Sequence, residues 1–566
     1  MQDLKKSLAT IIDQYVSDIE EKEIYESLET PSNPTMGDYA LPCFKFAKTF
    51  RKSPQLIAEE ITTAIGKIDF IEKIENVGAY INFYVDKIML ATQIIEEVLT
   101  KKENYGLDNS KSKGNIVIDY SSPNIAKPFH VGHLRSTVIG NSLYKIFEAL
   151  GYNCIGVNHL GDWGTQFGKL IVAYKKYSSK QEVEEKGIAE LLRIYVLFHQ
   201  EAEKDSKLDD LAREYFKKME QSDEAALELW KWFKEISLKE FERVYDMLDV
   251  KFDSFNGEAF YNDKMRDIIQ ELDDKELTKI SEGAKIIELE NMPPCLITKK
   301  DGSTLYATRD ITAAKYRYTT YKFDKCIYVT ALQQNLHFAQ FFKVIEKMGY
   351  SWAKNLIHVP FGMVSMETGA LSTRAGNILF LEEILEEAIK KTKAIIEEKN
   401  PALPNKDEVA KQVGIGAVIF DDMYNNIIKD IQFSWDKVLN FDGETGPYVQ
   451  YTHARACSVI RKSNVKIEEI KDIDLSLVCD ETSISLIKQI GKFEETIKDA
   501  ATKYEPSCIA RYAVGVAQVF NKFYHDNPIL VSDEKLKLSR LALVLATIYT
   551  IRNALYLLGI KAPEQM

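Results

Sequence analysis

The sequence predicts an α/β domain with a doubly wound parallel sheet, a small α+β domain before it and an all-α bundle after it. Three patterns carry this. Short β-branched runs alternate with helical periodicity from Asn115 to Val359, as in a sheet covered on both faces. A helix followed by strand patterning fills residues 1–110, and beyond Asn400-Pro401-Ala402-Leu403-Pro404 the chain reads as helical to its end. A length of 566 residues suits three or four domains, each with its own core. We delimit them as 1–110, 111–400 with an insertion at about 178–300, a helical connection at 401–440, and 441–566.

Ile116-Val117-Ile118 reads as a buried parallel strand, and Asp119 ends it where an unpaired carboxylate would be costly. Turn chemistry follows in Ser121-Ser122-Pro123-Asn124, with Pro123 steering Ser122 away from helical geometry. His130-Val131-Gly132-His133 then leads into a helical pattern from Leu134 to Leu150. Strand, polar loop and helix N-terminus together form phosphate-binding geometry, because the first turn has unpaired N–H groups and the positive end of the dipole. His130 and His133 share a helix face and can donate to one anion, while Gly132 lets a sugar or base approach the backbone. The plainer alternative is that both histidines cap the helix.

Further along, Cys154–Val157 reads as the second strand and Thr165–Lys176 as the next helix. From Ser178 to Val250 the pattern is long, charged and helical, with Trp230 and Phe233 three apart on its buried face and its charges on solvated faces. With the strand-rich Lys285–Lys299, it forms an insertion between two halves of the sheet. The second half resumes at Leu305-Tyr306-Ala307-Thr308-Arg309-Asp310, which opens a helix. The strand Cys326–Val329, the pair Gln333-Gln334, the helix His337–Met348 and the strand Leu356–Val359 follow. Two such halves place a ligand site at the switch point, outside the carboxyl ends of the strands.

A hydrophobic content of 45% and a charged content of 28% are those of an ordinary soluble protein. No run of 18 apolar residues occurs, so no membrane span is expected, and Met1–Tyr25 is amphipathic without a cleavage pattern. Seven cysteines stand singly, which argues against structural zinc and a disulfide framework and for a reducing cytoplasm. The net charge of −12 means that any RNA surface must be a local basic stripe.

Two blocks are more specific. Ser122-Pro123-Asn124-Ile125-Ala126-Lys127-Pro128-Phe129-His130-Val131-Gly132-His133-Leu134-Arg135-Ser136-Thr137 closely resembles the signature of class I arginyl-tRNA synthetases. Asn158-His159-Leu160-Gly161-Asp162-Trp163-Gly164-Thr165-Gln166-Phe167-Gly168 is similar to the family's next block, and the resemblance runs to Met566. It implies a Rossmann-like catalytic domain that joins L-arginine to tRNA through an arginyl-adenylate, with ATP and Mg²⁺ and with transfer to the 2′-hydroxyl of the terminal adenosine. It also implies a cytoplasmic monomer.

By the same resemblance, arginine is held by Asp119, Asn124, Tyr306, Asp310 and Gln334. Two carboxylates suit a guanidinium's rigid fork of donors, a tyrosine can pack its stem, and amides can hold the amino-acid head. ATP falls to His130, Gly132, His133, Ser372, Thr373 and Arg374, with Lys127, His130, His133 and Arg374 catalytic. The N-terminal domain resembles the part of the family that meets the tRNA elbow, where Tyr80 would stack a base and Asn82 read its edge. The helix after Asp442-Gly443-Glu444-Thr445-Gly446-Pro447 carries Tyr448, Tyr451, His453 and Arg455. With Tyr524, its tyrosines match the anticodon-binding domain, where aromatics stack unpaired bases.

The loop Gly369-Ala370-Leu371-Ser372-Thr373-Arg374-Ala375-Gly376-Asn377 departs from the usual class I pattern. Ala375 stands where many relatives have a lysine, and the resemblance assigns the missing positive charge to Lys127. A nucleotidyltransferase sharing H-x-G-H would be much shorter and lack the helical bundle. A non-catalytic tRNA-binding relative is favoured by Ala375 alone.

Overall fold

The computed structural model describes residues 2–16, 19–31, 33–127, 129–300, 302–366, 380–471 and 473–566. They form two compact units. One comprises Met1–Tyr105, Thr452–Thr496 and Gly515–Asn553; the other comprises Gly106–Tyr451, Ile497–Val514 and Ala554–Met566.

In the first unit, β1 (Tyr39–Pro42), β2 (Ile71–Val77) and β3 (Tyr80–Val85) form an antiparallel sheet in the order β1-β3-β2. Gly78, at φ +61°, supplies the positive φ of the tight β2–β3 turn. Helix Pro54–Ile65 starts on a Ser53 cap with proline at N1 and packs Ile57, Ala58, Ile61 and Ile65 inward. Buried Asp38 accepts from the Val85 N–H at 2.9 Å and pairs with Lys488 of the helix Glu481–Ile490. The Tyr105 hydroxyl donates to the Ile490 carbonyl at 3.1 Å, and Asn553 donates to the Tyr105 carbonyl at 2.8 Å. Much of the C-terminal helical region is thus built into the same unit as the N-terminal sheet.

In the second unit, β4 (Asn115–Asp119), β5 (Asn153–Val157), β9 (Lys325–Ala331) and β10 (Leu356–Phe361) form a parallel sheet in the order β10-β9-β4-β5. Ile116, Val117 and Ile118 are fully buried because helices cover both faces of the sheet. Strand order reverses between β4 and β9, and Asp119 lies opposite Val157 on one side and Tyr328 on the other. Side chains at the carboxyl ends of β4, β5 and β9 therefore meet in one crevice.

Between the halves lie helices Lys180–Lys186, Ile188–Ala202, Lys207–Glu220 and Glu224–Leu248, then an antiparallel sheet of β6 (Lys279–Ser281), β7 (Ala284–Ile287) and β8 (Cys295–Thr298). Phe233 is buried, but Trp230 is only half-buried and donates its indole N–H to the Asp162 carbonyl at 2.7 Å. Lys234 pairs with the buried Asp162 carboxylate at 2.6 Å, so this helix does not only present charge to solvent; it braces the site.

One expectation needs correction. The chain beyond residue 400 is not wholly helical, since β11 (Val364–Met366) pairs in parallel with β12 (Ile431–Phe433). Three-residue strands are too short for periodicity to register. Helix Glu534–Leu557 is also long and apolar enough to match a membrane span, but 83% of the window concerned is buried within the protein. Its apolar character is that of a bundle's central helix.

Candidate active site

The loop after β4 is strained. Ser121 (φ +71°), Ser122 (φ +47°) and Ala126 (φ +59°) occupy the left-handed region, at a cost of about 1–3 kcal/mol each. Ser122, which Pro123 was expected to steer away from helical geometry, takes the left-handed region. The Ser121 N–H donates to Ser136 Oγ at 2.9 Å, Ser121 Oγ lies 2.8 Å from the Tyr245 hydroxyl, and the Ala126 N–H donates to Ser237 Oγ at 2.8 Å. Tyr245 and Ser237 belong to helix Glu224–Leu248, so the insertion shapes the loop.

His130 is the N-cap of helix Val131–Ala149. Its Nδ1 accepts from the Gly132 N–H at 3.0 Å, while His133 Nδ1 accepts from the His130 N–H at 3.2 Å. Capping and catalysis are thus not alternatives. An Nδ1 that accepts leaves the ring proton on Nε2, so each neutral ring presents an N–H donor on its far side. The rings lie 3.9 Å apart. Burial and nearby Lys127 hold His130 below the usual imidazole range; burial, His130 and Lys127 hold His133 well below it. A Cβ on Gly132 would sit 2.8 Å from His130 Cε1. The glycine therefore makes room for the cap, and not only for a nucleotide as its position suggested.

Ser372, Thr373, Arg374 and Ala375 lie outside the described residues. On one side of that segment the Arg135 guanidinium donates to the Gly362 carbonyl at 2.9 Å and pairs with Asp422 at 2.9 Å. On the other, the Leu381 N–H donates to the Phe129 carbonyl at 2.9 Å, and Phe380 bridges to His130. The flanking residues are fastened to the histidine helix.

Asp119 and Asp310 share a cluster. Asp119 pairs with Arg317 at 2.8 Å and accepts from the Ser122 hydroxyl at 2.8 Å. Asp310 lies 2.6 Å from His337 Nε2 and 4.0 Å from His159 Nε2. Both carboxylates act electrostatically on His159, and Arg317 acts on both His159 and Asp310. Burial raises the Asp310 carboxyl, but the His337 hydrogen bond and the charges of His337, His159 and Arg317 hold it below its ordinary value. Burial dominates at His159 and lowers it despite the aspartates. Tyr306 stands one turn before Asp310 and is 67% exposed, and exposed Gln334 follows directly from β9. Exposed Asn124 bridges Gly161, where a Cβ would meet its Oδ1 at 2.2 Å.

With this arrangement in view, comparison with known proteins is direct. Residues 94–435 match the class I tRNA synthetase (R) catalytic domain, residues 449–566 the DALR anticodon-binding domain, and residues 2–85 the arginyl-tRNA synthetase N-terminal domain. The chain belongs to the arginyl-tRNA synthetase family. It is 55% identical over 568 residues to arginine–tRNA ligases of Alkaliphilus metalliredigens and Clostridioides difficile, covering 100% of each chain. Among solved structures it is similar to the arginyl-tRNA synthetases of Thermus thermophilus and Plasmodium falciparum. The first has a TM-score of 0.84 at 25% identity, covering 100% of both chains. The second has a TM-score of 0.81 at 27% identity, covering 100% of this chain and 99% of that one.

For this family member, the residues expected to meet tRNA fall in both units. Tyr80 is 38% exposed with its ring edge-on to Phe44, but Asn82 is 1% exposed, beneath the surface where a base would lie. Its Nδ2 has no hydrogen-bond partner among the described residues. Tyr451 is exposed and Tyr448 half-buried; exposed Tyr524, in the other unit, lies 5.8 Å from the Arg455 guanidinium carbon.

Sequence reasoning missed Arg317, His337 and Lys234, and gave His159 no role. Arg317 follows Asp310 by seven residues on one helix, a same-face spacing that was available to find it. No spacing links the others to the site.

Proposed function

We infer that the chain joins L-arginine to its cognate tRNA at the expense of ATP, through an arginyl-adenylate, and that its residues divide the work as follows. Asp119 and Asp310 take the guanidinium of arginine, Tyr306 packs its stem, and Asn124 and Gln334 hold its amino-acid head. The arginine carboxylate attacks the α-phosphate and pyrophosphate leaves. The 2′-hydroxyl of the tRNA's terminal adenosine then takes the arginyl group. No protein nucleophile is required, so catalysis consists of positioning and of stabilising phosphate charge.

That charge falls to the Nε2–H groups of His130 and His133, to Lys127, whose charge bears on both rings, and to the positive end of the helix dipole. Arg374, Ser372 and Thr373 complete the ATP-binding set. Among the described residues no cluster of three or more His, Cys, Asp or Glu side chains could hold a metal ion. Mg²⁺ would enter bound to the phosphates of ATP and would supply charge neutralisation there. Residues 1–110 would bind the tRNA elbow through exposed Tyr80, with Asn82 buried beneath that surface, and residues 441–566 the anticodon through Tyr448, Tyr451 and Tyr524. Seven free thiols suit a reducing cytoplasm.

One observation carries this reading: two histidines at a helix N-terminus whose Nδ1 atoms both accept backbone N–H groups, in the same unit as two carboxylates that both act on His159. Arginine-dependent ATP–pyrophosphate exchange tests it. Exchange is expected only when tRNA is present, and exchange equally supported by lysine or citrulline would refute the assignment.

A further inference from the structure

Four carboxylates surround the arginine end of the crevice, and three of them have a cationic side chain beside them. Asp119 pairs with Arg317 at 2.8 Å, Asp162 with Lys234 at 2.6 Å, and Glu258 with Arg309 at 3.5 Å. The ion-pair partners of Asp310 among the described residues are imidazoles, His337 and His159. Asp310 is therefore the carboxylate left without a lysine or arginine.

We propose that Arg317 is a specificity-determining positioning residue: it cancels the charge of Asp119, so that Asp310 alone supplies the charge attraction for the substrate guanidinium. The proposal rests on the preceding reading that this crevice takes arginine. Arg317 is 1% exposed, and its guanidinium carbon lies 5.3 Å from the Tyr328 ring centre. Burial works against its charge, yet Asp119, Tyr328 and Tyr261 hold it protonated. One Asp119 oxygen is engaged by Arg317 and the other by the Ser122 hydroxyl. An ionised carboxylate offers about four acceptor sites, so Asp119 can still orient a donor without adding net charge.

The physical need is charge balance around the substrate guanidinium. A second uncompensated carboxylate would work against the burial that keeps His159 below the usual imidazole range. With no excess at all, the buried guanidinium would have no counter-charge.

The test is the KM for arginine and kcat in tRNA charging by the full-length chain. It is run at pH 8, because burial, against Arg309 and aided by Asp310 and Asp162, pushes the Glu258 carboxyl up to about 7. Asp119→Asn strands Arg317 as an unpaired cation facing the substrate, and the KM for arginine rises at least about 30-fold. Adding Arg317→Gln to Asp119→Asn removes both members of the pair and brings KM back to within about fivefold of the starting chain. Arg317→Lys keeps the charge and stays within about threefold.

A double variant as poor as Asp119→Asn, or worse, overturns the proposal, because the loss then comes from a direct Asp119 contact. An Arg317→Lys variant whose KM for arginine rises well beyond threefold although the charge is kept overturns it too. Asp310→Asn is the separate arm: an unchanged KM for arginine there removes the reading of the crevice as the arginine site.

Discussion

Replacing His133 by asparagine, and separately by glutamine, divides its two tasks. Asparagine can place an oxygen near the position of Nδ1 and keep the bond from the His130 N–H, at 3.2 Å in the parent, but it loses the donor at Nε2. Glutamine reaches the Nε2 position and abandons the cap. A cap bond contributes about 1 kcal/mol, and at this length the lower half of the usual range applies. A preorganised donor to developing charge lowers the barrier by roughly 3–4 kcal/mol. His133→Asn should therefore melt within about 2 °C of the parent but lose about 100- to 1,000-fold in kcat. His133→Gln should lose more stability and less activity. Arginine- and tRNA-dependent pyrophosphate exchange reads the activity, and thermal unfolding reads the cap. Near-normal exchange in His133→Asn, together with an inactive His133→Gln, would show that the histidine serves the helix and not the phosphate.

Three further outcomes are expected. Lys127→Ala abolishes arginine-dependent pyrophosphate release, since the loop carrying Ala375 lacks the usual lysine; near-normal turnover would place the compensating charge elsewhere. Tyr451→Ala removes a base-stacking surface of about 1–3 kcal/mol, raising the KM for tRNA roughly 5- to 150-fold with kcat at saturating tRNA little changed; an unchanged KM returns Tyr451 to a packing role. Burial lowers His358, stacked on Phe338 at 4.3 Å with Nε2 2.8 Å from Thr330 Oγ1, to about 4. Its unfolded value is about 6.5, so its stabilising effect is complete above that pH and is lost as pH falls from about 6.5 toward 4. His358→Gln should flatten the fall in melting temperature over that window, and an unaltered slope would contradict the assignment.

Much of the architecture was legible along the chain. The β-branched run ending in Asp119, the Cys154 and Cys326 strands and the helix opened by His130 are local patterns, set by side-chain period and cap chemistry. What remained hidden was short or non-local. The strands Val364–Met366 and Ile431–Phe433 are too brief to show a period, and their hydrogen bonds come from each other. Asn82 alternates correctly with Tyr80 along its strand, but only the neighbouring strands β1 and β2 decide that it is buried.

By itself, the sequence determined a parallel α/β fold and a helix opened by two histidines, and its resemblance to the family singled out Asp119 and Asp310. Tertiary structure decided which charges are already satisfied. Asp119 and Arg317 lie on elements separated by the whole insertion, and Lys234 lies within that insertion, 72 residues after Asp162; no spacing rule reaches across such distances. Coulomb energy depends on separation in space and on burial, and both are set only when the strands converge. That convergence leaves Asp310 to face a cation.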